Sequence, residues 1–182
     1  DPGTANPGPP RPPAPPPRRP HPAAKPNLSD VDVHGGPERP TRVARAIGGF
    51  PDEEDHFACA EFAALRNTTH FGQVPVLHVE GGQVTQYDAI LRYAGKLAGL
   101  YPADPWQALL CDEVLSVLED AAINLVPTFR MTGDVQKEAR LALVKGSMPV
   151  YLVGLQSRLL VQGGEYFAAN HLTAADPKGC VG

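Results

Sequence analysis

The alternation of apolar and polar positions changes character twice along the chain. Up to Pro26 there is almost none: residues 1–26 hold 12 of the 21 prolines, interleaved with Gly, Ala and Arg. Such a composition buries too little apolar surface to offset the entropy of ordering, so a disordered tail is expected. Its Pro-x-x-Pro spacings, Pro9 to Pro12 and Pro12 to Pro15, suit an SH3-type groove, but a solvated tail is the simpler reading. Beyond it, Val31 and Val33 predict a short strand, and Thr41 to Ile47 a helix that stops at Gly48-Gly49. Val74 to Val79 reads as a strand, Gly81-Gly82 as a hairpin turn and Gln83 to Thr85 as the return strand. A helix from Asp88 to Ala98 follows, closed by Gly99. From Trp106 the pattern is wholly helical: Leu109, Leu110, Val114, Val117, Leu118 and Ala121 keep helix spacing as far as Pro127. A second long helix is predicted from Asp134 to about Gln162, kinked at Pro149 and ended by Gly163-Gly164. Thr173 to Asp176 has the form of a helix-starting capping box, with Pro177 and Gly179 leaving almost no helix behind it.

This order of elements predicts an α/β N-terminal thioredoxin-like domain (βαβ-ββα) over residues 27–102, followed by an all-α helical bundle domain over 103–182, with the linker near Tyr101-Pro102. The bundle is expected to be truncated at its C-terminal end. With 182 residues, 42% apolar and 20% charged, the chain can bury one large core or two small ones. A net charge of -4 offers no basic stripe to a nucleic-acid backbone, and no apolar run approaches the roughly 18 to 20 residues of a membrane span. No nucleic-acid or membrane partner is expected. Cys59, Cys111 and Cys180 form no Cys-x-x-Cys pair, which argues against a disulfide framework or a zinc site and suits a reducing, cytoplasmic setting. His34, His56, His70, His78 and His171 lack metal-ligand spacing, so no metal is expected. The start at Asp1, without Met or leader, reads as a fragment or conceptual product; misassembled flanks around a genuine exon are a further reading of the two ends.

Three segments carry a specific resemblance. Phe71-Gly72-Gln73-Val74-Pro75-Val76-Leu77, then residues 86–93 beginning Gln86-Tyr87-Asp88, then Gly99-Leu100-Tyr101-Pro102 resemble, in order and spacing, the glutathione-binding half of cytosolic glutathione transferases, especially the sigma and pi types. The likeness continues through residues 111–120 and the Thr173 to Asp176 cap, covering roughly residues 27 to 176. It implies a transferase that takes glutathione as cosubstrate and conjugates its thiol to hydrophobic electrophiles, as in detoxification. It also implies a cis bond before Pro75, which turns the Val74 backbone outward to pair with the glutathione backbone. Gln73 and Arg66 would meet the glycine end of the tripeptide, Arg66 standing where relatives place Lys. Gln86 and Tyr87 open the third helix, where free N–H groups and the helix dipole favour the γ-glutamyl carboxylate. Taken singly these residues also suit a turn, a helix start and an exposed loop charge.

The departures from the family pattern concern catalysis. The family's first-strand tyrosine donates a hydrogen bond that lowers the glutathione thiol pKa. Alignment back from Val33-His34-Gly35 places Asp30 at that position, and alignment back from Arg42 places Val31 there. A carboxylate would raise the thiol pKa and valine has no donor, which leaves the neighbouring Ser29 as the candidate catalytic hydroxyl. Tyr87 stands where relatives carry Ser, and the acidic residue that reaches the partner subunit's glutathione falls near Ser116, with Glu119 and Asp120 close by. Phe71 lies where relatives insert an aromatic key between the fourth and fifth helices of a second subunit, which implies a homodimer; a satellite core aromatic is the other reading. The electrophile pocket is expected between the domains and to include Phe129 on the first long helix. A non-catalytic binding or structural relative is the competing function. A thioredoxin-like redox protein is disfavoured, because no cysteine lies near the end of the first strand.

Overall fold

The computed structural model describes residues 27–31, 39–48, 53–57 and 59–180. The tail 1–26, Val33, His34 and Gly49 lie outside the described residues. The elements run β1 (Asn27–Val31), α1 (Arg39–Gly48), β2 (Glu53–Phe57), α2 (Cys59–Leu65), β3 (Val76–Val79), β4 (Gly82–Thr85) and α3 (Tyr87–Ala98), then α4 (Pro105–Leu125), α5 (Gly133–Lys145), α6 (Met148–Val161) and α7 (Ala175–Cys180). This is a thioredoxin-like α/β unit followed by helices alone. The four strands lie in the order β2-β1-β3-β4; β1 runs parallel to β2 and antiparallel to β3.

The β3–β4 hairpin turns at Glu80-Gly81, one residue earlier than the glycine pair suggests. Both have positive φ, 51° and 74°, and Val79 pairs with Gly82 to close a two-residue loop. One face of the sheet, Leu28 and Leu77, packs against Ile90 of α3 with Val79 and Tyr93 at its margin. The adjoining face of α3 joins a second cluster: Ala44 of α1, Leu91 and Ala94, Leu110, Cys111, Val114 and Leu115 of α4, and Ala174 and Ala175. Burying each Leu or Ile there contributes about 1.5–3 kcal/mol. α3 can approach so closely because Gly95 has no side chain: a Cβ there would sit 3.1 Å from the Ala174 Cβ. Gly99, at φ 72°, then caps α3 by donating its N–H to the Gly95 carbonyl.

α4 begins at Asp104, whose carboxylate accepts from the Gln107 N–H at 2.9 Å, with Pro105 in the first turn where its missing N–H is harmless. The single long helix expected from Asp134 to Gln162 is two helices. The chain breaks at Gly146, whose ψ of -100° leaves the helical region, and Pro149 sits in the first turn of α6 rather than kinking a continuous helix. At the other end, Gly163 and Gly164 have φ of 99° and 90°, and the Gly164 N–H donates to the Leu159 carbonyl at 2.8 Å. The Thr173 box does open a helix: Asp176 accepts from the Thr173 N–H at 2.7 Å, the Thr173 hydroxyl at 2.9 Å and the Phe167 N–H at 3.0 Å. α7 passes through Pro177 and Gly179, the latter lying beneath the Phe167 ring.

Candidate functional site

The loop between α2 and β3, the cis peptide before β3 and the N-terminus of α3 meet at one end of the sheet. A 3-10 turn, Arg66 to Thr68, opens the loop. Thr68 and Thr69 hydroxyls donate to the Leu65 and Arg66 carbonyls at 2.7 and 3.0 Å. The Gln83 side chain of β4 then ties the loop to the sheet, donating to the Thr68 carbonyl at 3.2 Å and accepting from the His70 N–H at 3.0 Å. The Arg66 side chain lies across Gly72, where a Cβ would come within 3.1 Å of its Nε. At φ 64°, Gly72 also holds a conformation that favours glycine.

The Val74–Pro75 bond is cis, as the resemblance implies. Pro75 is buried, Val74 half-buried and Gln73 exposed. Gln86 faces this stretch as the N-cap of α3, at φ 77° and ψ 108°, a sparsely populated conformation for a residue with a side chain. Its Nε2 donates to Gln73 Oε1 at 2.8 Å, while its carbonyl accepts from the Ile90 N–H at 3.1 Å. Tyr87 and Asp88 form the first turn of α3. Arg66, Gln73, Val74, Pro75, Gln86 and Tyr87 thus come from three elements that converge.

Ser29 is placed differently. It occupies the middle of β1, paired with Asp55 of β2 and Val76 of β3, only 8% exposed. Its hydroxyl donates to Asn27 Oδ1 at 3.3 Å, back along the strand. Because β1 runs antiparallel to β3, Asp30 and Val31 lie nearer the cis peptide; their side chains are outside the described residues. Phe71 is 68% exposed at the tip of the loop. On the helical side, a groove of about 390 Å³ between α4 and α6 is lined by Val114, Val117, Tyr151 and Leu155 and rimmed by the Glu113–Arg158 ion pair. Phe129 is not on α4 but in the 3-10 turn after it, exposed beneath the Arg140 guanidinium.

A charged seam joins α3 to α4. The Arg92 Nε donates to Asp112 at 2.6 Å, and the Tyr101 hydroxyl donates to the other oxygen of that carboxylate at 2.9 Å. Burial and this carboxylate push the Tyr101 phenol up to about 12. Burial is the largest single influence on Arg92 and lowers its pKa, but the bond to Asp112 and the charges of Asp112 and Asp88 together outweigh it and raise the pKa. Behind the seam, burial pushes the Cys111 thiol up to about 11, despite hydrogen bonds from Ala175 and Thr173 that favour the thiolate. Cys111 is a core residue rather than a nucleophile.

Sequence reasoning did not single out Gln83, Gly72 or Lys178. The first two lie within or beside the resembling segments, and the Gly in residues 71–77 is a readable signal for a backbone turn. Lys178 has no local signal, since its partners lie 59 to 90 residues away. Among the described residues no cluster of three or more His, Cys, Asp or Glu side chains could hold a metal ion, and no helix is long and apolar enough to cross a membrane.

No family model matches the chain. It is 31% identical over 117 residues to a glutathione S-transferase of Anopheles gambiae, a match covering 64% of this chain and 58% of that protein. It is 30% identical over 153 residues to glutathione S-transferase 1 of Ascaris suum, covering 82% of this chain and 74% of the relative. Among solved structures, the prostaglandin synthase D of Nilaparvata lugens superposes with a TM-score of 0.78 at 28% identity, covering 87% of this chain and 79% of that one. The chain therefore spans little more than half the length of the mosquito relative.

Proposed function

Since the chain belongs to the glutathione S-transferase family, we propose that it binds glutathione where Gln73 meets Gln86 and conjugates the thiol to hydrophobic electrophiles. The observation that supports this most is the strained Gln86 at the α3 N-terminus, hydrogen-bonded to Gln73. Strain of this kind persists where the surrounding structure holds it, commonly at ligand sites. In this reading the N-terminal end of α3 receives the γ-glutamyl carboxylate, with the helix dipole adding to the attraction. The main chain of Val74 pairs with the peptide like an added strand, and Arg66 and Gln73 face the glycyl carboxylate.

Residues 27–102 would supply this cradle and residues 103–182 the wall of the electrophile pocket. The charged seam places Asp88 level with Glu119, so the last turns of α4 and Phe129 extend past the cradle. Exposed Phe71 and the α4–α6 groove suit each other as key and slot of a homodimer, which sedimentation at micromolar concentration would test. A cytoplasmic role in detoxification goes with this reading.

A second reading, a glutathione-binding relative without transferase activity, is favoured by β1 itself. Its five residues hold no tyrosine, and the Ser29 hydroxyl bonds Asn27 rather than facing the cradle. A chromogenic conjugation assay across pH on the Ser29→Ala variant separates the two. If Ser29 activates the thiol, turnover falls on the order of a hundredfold, as when one transition-state donor is removed. Unchanged turnover removes Ser29 from the mechanism, and no turnover in a chain that binds glutathione selects the second reading.

A further inference from the structure

Lys178 is the one ammonium among the described residues that is almost fully buried, at 7% exposure, and the reading above gives it no part in binding or chemistry. It projects from α7 into the angle between α3 and α4. Its three N–H bonds have three acceptors: Asp88 Oδ1 at 2.6 Å, the Leu115 carbonyl at 3.1 Å and Glu119 Oε2 at 3.2 Å. The charge also lies 4.9 Å from the centre of the Tyr87 ring. A lysine ammonium has three donors and no more, so this one is completely committed. A desolvated cation over an aromatic face adds to the hold on that ring.

Two of the four contacts, Tyr87 and Asp88, are the first two residues of α3. The residue just before them, Gln86, is tied to the α/β unit by its bond to Gln73. The α3 N-terminus is therefore held both by a loop of the α/β unit, at Gln86, and by a lysine of the last described helix, at Tyr87 and Asp88.

We propose that Lys178 is a positioning residue for the candidate glutathione site: by fixing Tyr87 and Asp88 against α4, it holds the α3 N-terminal N–H groups in the orientation that receives the γ-glutamyl carboxylate. This inference rests on the glutathione reading. Lys178 touches no ligand and acts through α3. By linkage, glutathione bound at α3 also strengthens the docking of α7, because coupling between two sites is reciprocal.

The test compares the full chain with its Lys178→Met variant, which keeps the stem and removes the charge. Calorimetry with glutathione and amide hydrogen exchange are run on both at a temperature where both are folded. The expected result is a loss of glutathione affinity on the order of tenfold, within the usual range of coupling between sites, with faster exchange at the Ile90 amide and unchanged exchange in α5. Should Lys178→Met fail to fold, Glu119→Gln removes one α4 anchor and is expected to shift both readouts in the same direction by less. A folded variant that binds glutathione as tightly as the parent overturns the role of Lys178 alone, even if its stability has fallen. A parent chain that takes up no glutathione overturns the glutathione reading, and this role with it.

Discussion

Over one turn and a half, α4 presses Leu110, Cys111, Val114 and Leu115 against α3 and the start of α7, whereas α5 and α6, though rich in Leu and Val, bury no residue at all. Val135, Leu141, Val144, Val150, Leu152, Val153, Leu160 and Val161 are all more than half exposed. The α3–α4 seam adds directed polar contacts to its apolar core, from Tyr101 through Asp112 and Arg92 to Asp88, Lys178 and Glu119. The difference teaches that helical periodicity places an apolar stripe but does not supply its partner. The stripe of α4 meets α3, and the candidate site is built on that rigid pair.

The sharpest way to break this comparison is truncation on the two sides of it. Leu115→Ala removes a fully buried side chain and should destabilise the chain by about 3 kcal/mol, within the range of large-to-small core changes. Leu152→Ala, at 63% exposure, should change stability by less than about 0.5 kcal/mol. Urea unfolding measures both, and equal losses would mean that α6 is packed as tightly as α4. Next in size is Asp176→Ala, which strips three hydrogen bonds from the start of α7. A loss of about 2 kcal/mol is expected, at the upper end for a helix cap, and a neutral result would show that α7 contributes little to the seam.

A further effect is alkaline. Cys111 rises from 9.0 to about 11 and Tyr101 from 10.0 to about 12 on folding. Both acids are kept neutral by the fold, so above pH 9 the unfolded chain gives up protons that the folded chain retains, and stability falls as pH rises. The urea midpoint should hold steady below pH 9 and fall toward pH 11, with the Cys111→Ala variant showing a shallower fall. A midpoint that rises over this range contradicts the buried-thiol assignment.

How much of this was readable in the sequence follows from the distance between partners. The hairpin, α3 with its Gly99 cap and α4 show in the spacing of neighbouring residues, and so does the Thr173 to Asp176 box. The edge strand β2, Glu-Glu-Asp-His-Phe over Glu53–Phe57, carries no apolar alternation and takes its strand form from pairing with β1. The α5–α6 break is not legible because Pro149 is compatible with either a kink or a first helical turn, while the break itself depends on the backbone conformation of Gly146. In the site, Gln73, Val74, Pro75 and Gln86 came from a resemblance in their order. The Gln73–Gln86 bond depends on a backbone conformation at Gln86 that no side-chain pattern announces. Lys178 lies 90 residues from Asp88, beyond any local rule.

The central claim is that the meeting of Gln73 and Gln86 receives glutathione. Isothermal titration of the folded chain with glutathione tests it most directly, alongside the Gln86→Ala variant. The account predicts saturable binding to the parent chain and a loss of affinity on the order of tenfold in the variant, which lacks the Gln73–Gln86 hydrogen bond that holds the site together. Absence of binding by a demonstrably folded parent, or binding that Gln86→Ala leaves untouched, would contradict it.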